Sequence, residues 1–148
     1  MKTVNEMKLC VPSKGCNEAF ARSVVSAFIM NLDPTVNELS DLKTAVSEAV
    51  TNCIVHGYRR QSGMIYINGK ITAENKVIIT IRDKGCGIPN VKKAMEPMYT
   101  TKPEEERSGM GFSFMEAFMD QVEVISKQGE GTTVIMTKKI GDQDKLNG

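Results

Sequence analysis

The chain has 148 residues, 41% of them apolar and 25% charged, and its 19 basic against 18 acidic side chains leave a formal net charge of +1. That length suits one domain on a prior of roughly 100–200 residues, large enough to bury about 68–70% of its unfolded surface without staples, and the composition argues against a disordered chain. Near-neutrality removes the usual footprint of a nucleic-acid binder, a strongly basic domain, and no apolar run approaches the roughly 20 residues a membrane helix needs.

The expectation is therefore one domain over residues 1–148 with no direct nucleic-acid partner and no membrane segment. Lys2 and Lys8 have no apolar stretch behind them, so no secretory leader is expected. Cysteines stand at 10, 16, 53 and 86 without a CxxC pair, and His56 is the single histidine. This pattern argues against zinc and reads as reduced thiols of a cytoplasmic protein.

In chain order, Glu6 to Val11 alternates weakly and predicts an edge strand. Phe20, Val24, Ala27, Phe28 and Leu32 recur at helical spacing from Asn17, and Pro34 ends that helix near Leu32. Thr35 and Glu38 stand at capping-box spacing ahead of Leu39, Leu42, Val46, Ala49, Val50 and Cys53. They predict a second helix of about 20 residues that stops at Gly57. Period two then takes over in Met64 to Ile71 and in Lys76 to Asp83, joined by a turn at Thr72 to Asn75. Pro97 to Gly111 is almost without apolar residues and predicts a solvent-facing loop. Phe112 to Met119 predicts a mostly buried helix. Strands at Gln121 to Lys127 and Thr132 to Ile140 follow, and the tail after 140 is expected to fray. Consecutive strands with short turns give an α/β (α+β) two-layer sandwich, its mixed, mostly antiparallel sheet carrying the helices on one face.

Four short elements carry chemistry. Glu48 and Asn52, four apart, share a helical face in apolar surroundings. They are either a solvated polar pair or a carboxylate that orients a nucleophile beside an amide that holds Mg²⁺. Asp83-Lys-Gly85-Cys-Gly87 ends an apolar strand. It is a plain turn, or a carboxylate accepting from an exocyclic amine where glycines let a flat ligand approach. Ser108-Gly109-Met110-Gly111-Phe112 opens a helix, as a hinge or as an anion cradle of free N–H groups. Gly129-Glu-Gly131-Thr132-Thr133 is a hairpin turn into a β-branched strand.

In that order (ExxxN, DxGxG, GxG, GxGTT) the elements resemble the N, G1, G2 and G3 boxes of the Bergerat-type ATP-binding fold of DNA gyrase, the Hsp90 chaperone, histidine kinases and MutL. Val46 to Asn52, Ile81 to Gly85, Tyr99 to Pro103 and Glu106 to Phe112 are similar to the bacterial anti-sigma F factors, a likeness running from about Met7 to Ile140. The resemblance implies a cytoplasmic, homodimeric serine/threonine protein kinase using ATP and Mg²⁺. Such a protein sequesters the sporulation sigma F factor from RNA polymerase and phosphorylates a serine of an anti-anti-sigma antagonist. It implies Glu48 as general base and Asn52 as Mg²⁺ ligand. Asp83 would take the adenine amino group, with Gly85, Gly87 and Thr133 around the base. Ser108, Gly109, Met110, Gly111 and Phe112 would lie at the phosphates, beneath a lid at about 97–108 that holds Thr101 and Lys102. Arg107, and less directly Lys102, would neutralise the γ-phosphate, or else each is a surface ion pair with Glu104, Glu105 or Glu106. Arg22 matches a partner-binding position, or is a helix arginine with a snorkelling stem. The competing readings are an ATP-gated sigma-binding module without transfer, the general-stress anti-sigma kinase, and a histidine-kinase ATP domain. The last would need His56 as phosphoacceptor, where a helix-terminal cap is the simpler role.

Overall fold

The computed structural model describes residues 2–96 and 111–141. Alternation builds the sheet. In β3 (Lys76–Asp83) Val77, Ile79, Ile81 and Asp83 are all buried on one face, as a period of two requires. β1 (Thr3–Pro12), β2 (Met64–Thr72), β4 (Gln121–Lys127) and β5 (Gly131–Lys139) complete five strands in the order β1-β2-β3-β5-β4. All four pairings are antiparallel. The β2–β3 hairpin turns at Thr72 to Asn75, and Asn75 supplies the left-handed residue at φ 62°.

The helices α1 (Cys16–Ile29), α2 (Val36–Asn52) and α4 (Phe112–Phe118) cover the inner face, with the four-residue α3 (Val91–Ala94) beside β4. Leu42, Val46 and Val50 of α2 meet Ile65, Ile67, Ile79, Ile81 and Met136 of the sheet in one core. The α1 face differs from the spacing predicted for it. Ala21, Val25 and Ile29 are buried, while Phe20 is exposed. The small and branched residues one position over form the face that packs on α2, leaving the larger Phe20 outside. A 3-10 turn, Met30–Leu32, ends α1 ahead of Pro34. Among the described residues no helix is long and apolar enough to cross a membrane.

The capping box is formed. The Thr35 hydroxyl accepts from the Glu38 N–H at 3.0 Å, and Glu38 Oε1 accepts from the Thr35 N–H at 2.9 Å. Glu38 Oε2 accepts a third bond, from the Gly141 N–H at 3.0 Å. Thr35→Ala removes the cap acceptor and is expected to cost about 1 kcal/mol, a fall in Tm of roughly 2–4 °C. Thr35→Ser retains the acceptor, and thermal melts of the two variants should separate by most of that amount.

Candidate functional site

The site begins where α2 changes pitch. After Asn52 the helix continues as one π turn, Cys53–Gly57, closed by the Tyr58 N–H donating to the Cys53 carbonyl at 2.8 Å. Single π turns recur at functional sites because the wider turn re-aims the residues within it. Here Cys53, His56 and Gly57 line the same cavity as Asn52, and Asp83, Gly87, Phe112 and Thr132 also form part of its wall.

Asp83 reaches the cavity by continuing the inward face of β3. The residue is 4% exposed. Its Oδ1 accepts from the Gly85 N–H at 2.8 Å, and the carboxylate takes further bonds from the Thr132 backbone and the Cys53 thiol. Desolvation pushes this carboxyl above the ordinary aspartate value, and the three donors oppose that shift. Two glycines make the approach possible. A Cβ on Gly57 would stand 2.6 Å from Asp83 Oδ2, and one on Gly85 would stand 2.1 Å from the Gly57 carbonyl oxygen. The Cys86 N–H donates to that same carbonyl at 2.9 Å, tying the end of β3 to the π turn.

Glu48, one turn before Asn52, points toward the start of α4 and not into the cavity. Gly111 is the left-handed N-cap of α4 at φ 70°, and a Cβ there would lie 2.2 Å from Glu48 Oε2. Partial burial raises the Glu48 carboxyl above the ordinary glutamate value. On its other side Glu48 opens onto a groove of about 380 Å³ between α1 and α2, shared with Arg22, Lys43 and Ser47. Arg22 Nε lies 3.4 Å from Glu18 Oε1, the oxygen that also accepts from the Ser47 hydroxyl. Arg22 and Glu48 therefore share one groove, and Asn52 faces the cavity one turn on.

One expected site residue is misplaced by the sequence. Thr133 pairs with Arg82, on the outer face of the sheet, where it borders a different hollow with Tyr66 and Thr80. Thr132 pairs with Asp83 and lines the cavity. Alternation decides it, since Val134 and Met136 are buried and place the even residues of β5 inward. Gly87 and Phe112 line the cavity, whereas Gly85 acts through its contact with Gly57. Cys53, Gly57 and Thr132 are among the wall residues that motif reasoning missed. Thr101, Lys102, Arg107, Ser108, Gly109, Met110 and the segment 97–108 lie outside the described residues.

Residues 13–138 match the family described as histidine kinase-like ATPase domain. The anti-sigma F factor of a Thermoanaerobacter species is 55% identical over 141 residues, 95% of this chain and 98% of that protein. The anti-sigma F factor of Bacillus thuringiensis is 53% identical over 143 residues, 96% and 97% of the two chains. The RsbU and RsbW domains of a Mycobacterium tuberculosis protein superpose with a TM-score of 0.68 at 16% identity, over 93% of this chain and 33% of that one. At that identity the likeness is one of fold.

Proposed function

Since the chain belongs to the anti-sigma F factor family of histidine kinase-like ATPases, we propose that it sequesters a sporulation sigma factor in the cytoplasm and phosphorylates a serine of an anti-anti-sigma antagonist. The observation that carries this reading is the buried, glycine-flanked Asp83 carboxylate in one cavity with Asn52, one helical turn from Glu48.

The residues fit a purine nucleotide. Asp83 offers an acceptor to an exocyclic amino group, and Gly87 with Thr132 borders the place of the base. The donor set also fits Mg²⁺ carried by phosphates. Among the described residues no group of three His, Cys, Asp or Glu side chains forms a metal cage, and Mg²⁺ commonly binds through few protein ligands plus phosphate oxygens. Asn52 would be its protein ligand. Bound MgATP supplies the phosphoryl group and the charge that neutralises the phosphates.

Glu48 Oε2, next to Gly111 at the head of α4, takes the proton of the incoming serine hydroxyl. Its raised affinity for a proton suits a general base. Arg22 stands on the groove that leads to Glu48, so a protein docked there brings its serine to the base. We assign Gly111, Phe112, Ser108, Gly109 and Met110 to the phosphate end, Thr101 and Lys102 to the lid, and Arg107 to the γ-phosphate. We also assign a homodimer to the outer face of the sheet, where Ile125 is 55% exposed.

Incubation with labelled ATP, Mg²⁺ and the cognate antagonist is expected to yield phosphoserine, and nucleotide is expected to promote capture of the sigma factor. Capture without any transfer would reduce the protein to an ATP-gated binding module. A finer check follows from the register of β5. Thr132→Val is expected to weaken ADP binding by about fivefold, the worth of one hydrogen bond, and Thr133→Val to leave it unchanged by calorimetry.

A further inference from the structure

Resting on the assignment of Asp83 to the adenine amino group, we propose that the Cys53 thiol is a positioning residue for base recognition, bracing the Asp83 carboxylate. Both side chains are buried, at 3% and 4% exposure, and both line the cavity. The thiol donates to the carboxylate. Cys53 holds Asp83 through its side chain. Gly85 and Thr132 hold it through backbone groups.

That division has a consequence. Gly85 holds the carboxylate from its own strand end and Thr132 from the adjacent strand, so both constraints come from the sheet. Cys53 holds it from the helical layer, across the cavity. The Gly57 backbone closes the same side, with no room for even a methyl group between it and Asp83. A carboxylate gripped from both layers has one orientation, which leaves a lone pair directed at the purine edge. A thiol suits this task because it is a weak donor and takes little basicity from the carboxylate. Burial and the neighbouring Asp83 charge push its ionisation well up, so it remains a donor at neutral pH.

The test compares ADP with the diphosphate of purine riboside, which lacks the 6-amino group, by calorimetry on the full chain. Wild type is expected to favour ADP. Cys53→Ala is expected to lose about five- to tenfold in ADP affinity and a similar factor in discrimination. Cys53→Ser, which restores a donor of similar size, should return both. If Cys53→Ala does not fold, Cys53→Val keeps the volume without the donor and gives the same readout. Discrimination equal to wild type in the Ala or Val variant overturns the brace and leaves the Asp83 assignment intact, as does equal loss in Ala and Ser. A wild type that binds both diphosphates alike overturns the Asp83 assignment, and the brace with it.

Discussion

Glu48→Gln is expected to lower phosphorylation of the antagonist serine by about 10²–10⁴-fold, the usual contribution of a general base, while ADP binding and sigma capture persist. The separation follows from geometry. The Glu48 carboxylate lies against Gly111 at the head of α4 and on the Arg22 groove, outside the wall of the cavity that holds Asp83. Glutamine keeps the size and the hydrogen-bonding oxygen but accepts no proton. Stability should move the other way. Burial raises the Glu48 carboxyl above its ordinary value, so the folded state binds the proton more tightly than the unfolded chain does. The wild type therefore loses stability as pH rises through that raised value. Gln does not titrate, and the variant should melt at or above the wild-type temperature at pH 8. The gap should close as pH falls below about 4. A less stable variant at pH 8, or undiminished transfer, would contradict the role given to this carboxylate.

Gly85→Ala is expected to abolish nucleotide binding and to destabilise the fold together. The added Cβ would meet the Gly57 carbonyl oxygen at 2.1 Å. That oxygen is backbone, held by the Cys86 N–H and by the π turn, so it cannot rotate away as a side-chain tip does. Relief requires the end of β3 to part from the end of α2. Asp83, two residues back, then leaves its place between Gly57 and Cys53. Overpacking of this kind costs about 1–3 kcal/mol, and an unyielding backbone contact belongs at the upper end. Calorimetry should show at least about a hundredfold weaker ADP binding, the measure of two lost or misplaced hydrogen bonds. A thermal melt should show the accompanying fall in Tm. Ordinary affinity with a lowered Tm would mean that Asp83 can be displaced without consequence for the base.

Much of this was open to a reader of the sequence, for a physical reason. The capping box at Thr35 and Glu38 and the limits of β3 are local patterns, and local patterns survive without knowledge of the partner element. So does the inward alternation that ends on Asp83. What was hidden depends on contacts between elements. Helical spacing sets the apolar stripe of α1 on Phe20, Val24, Ala27 and Phe28, but the face that α2 offers takes Ala21, Val25 and Ile29 into the interior. The helix α3 is four residues long, capped by the Asn90 side chain accepting from the Lys93 N–H at 3.0 Å, and it is too short to show a period. Thr132 and Thr133 are chemically alike, and what separates them is the face of β5 each occupies, Thr132 lying on the inner face opposite Asp83. The π turn is a backbone event that leaves no mark in residue types. Cys53 therefore read as another apolar residue of α2, although that turn places its thiol on Asp83.

The third bond of Glu38 bears on how the protein comes into being. One oxygen of that carboxylate closes the cap of α2 with its near neighbour Thr35, while the other takes its donor from Gly141, 103 residues further along. Domains emerge from the ribosome N-terminus first, at roughly 5–20 residues per second. The helix bearing Glu48 and Asn52 can thus be started early, but its first turn waits several seconds for its last fastening. Until then the nascent chain has the start of the ATPase fold and not the whole of it.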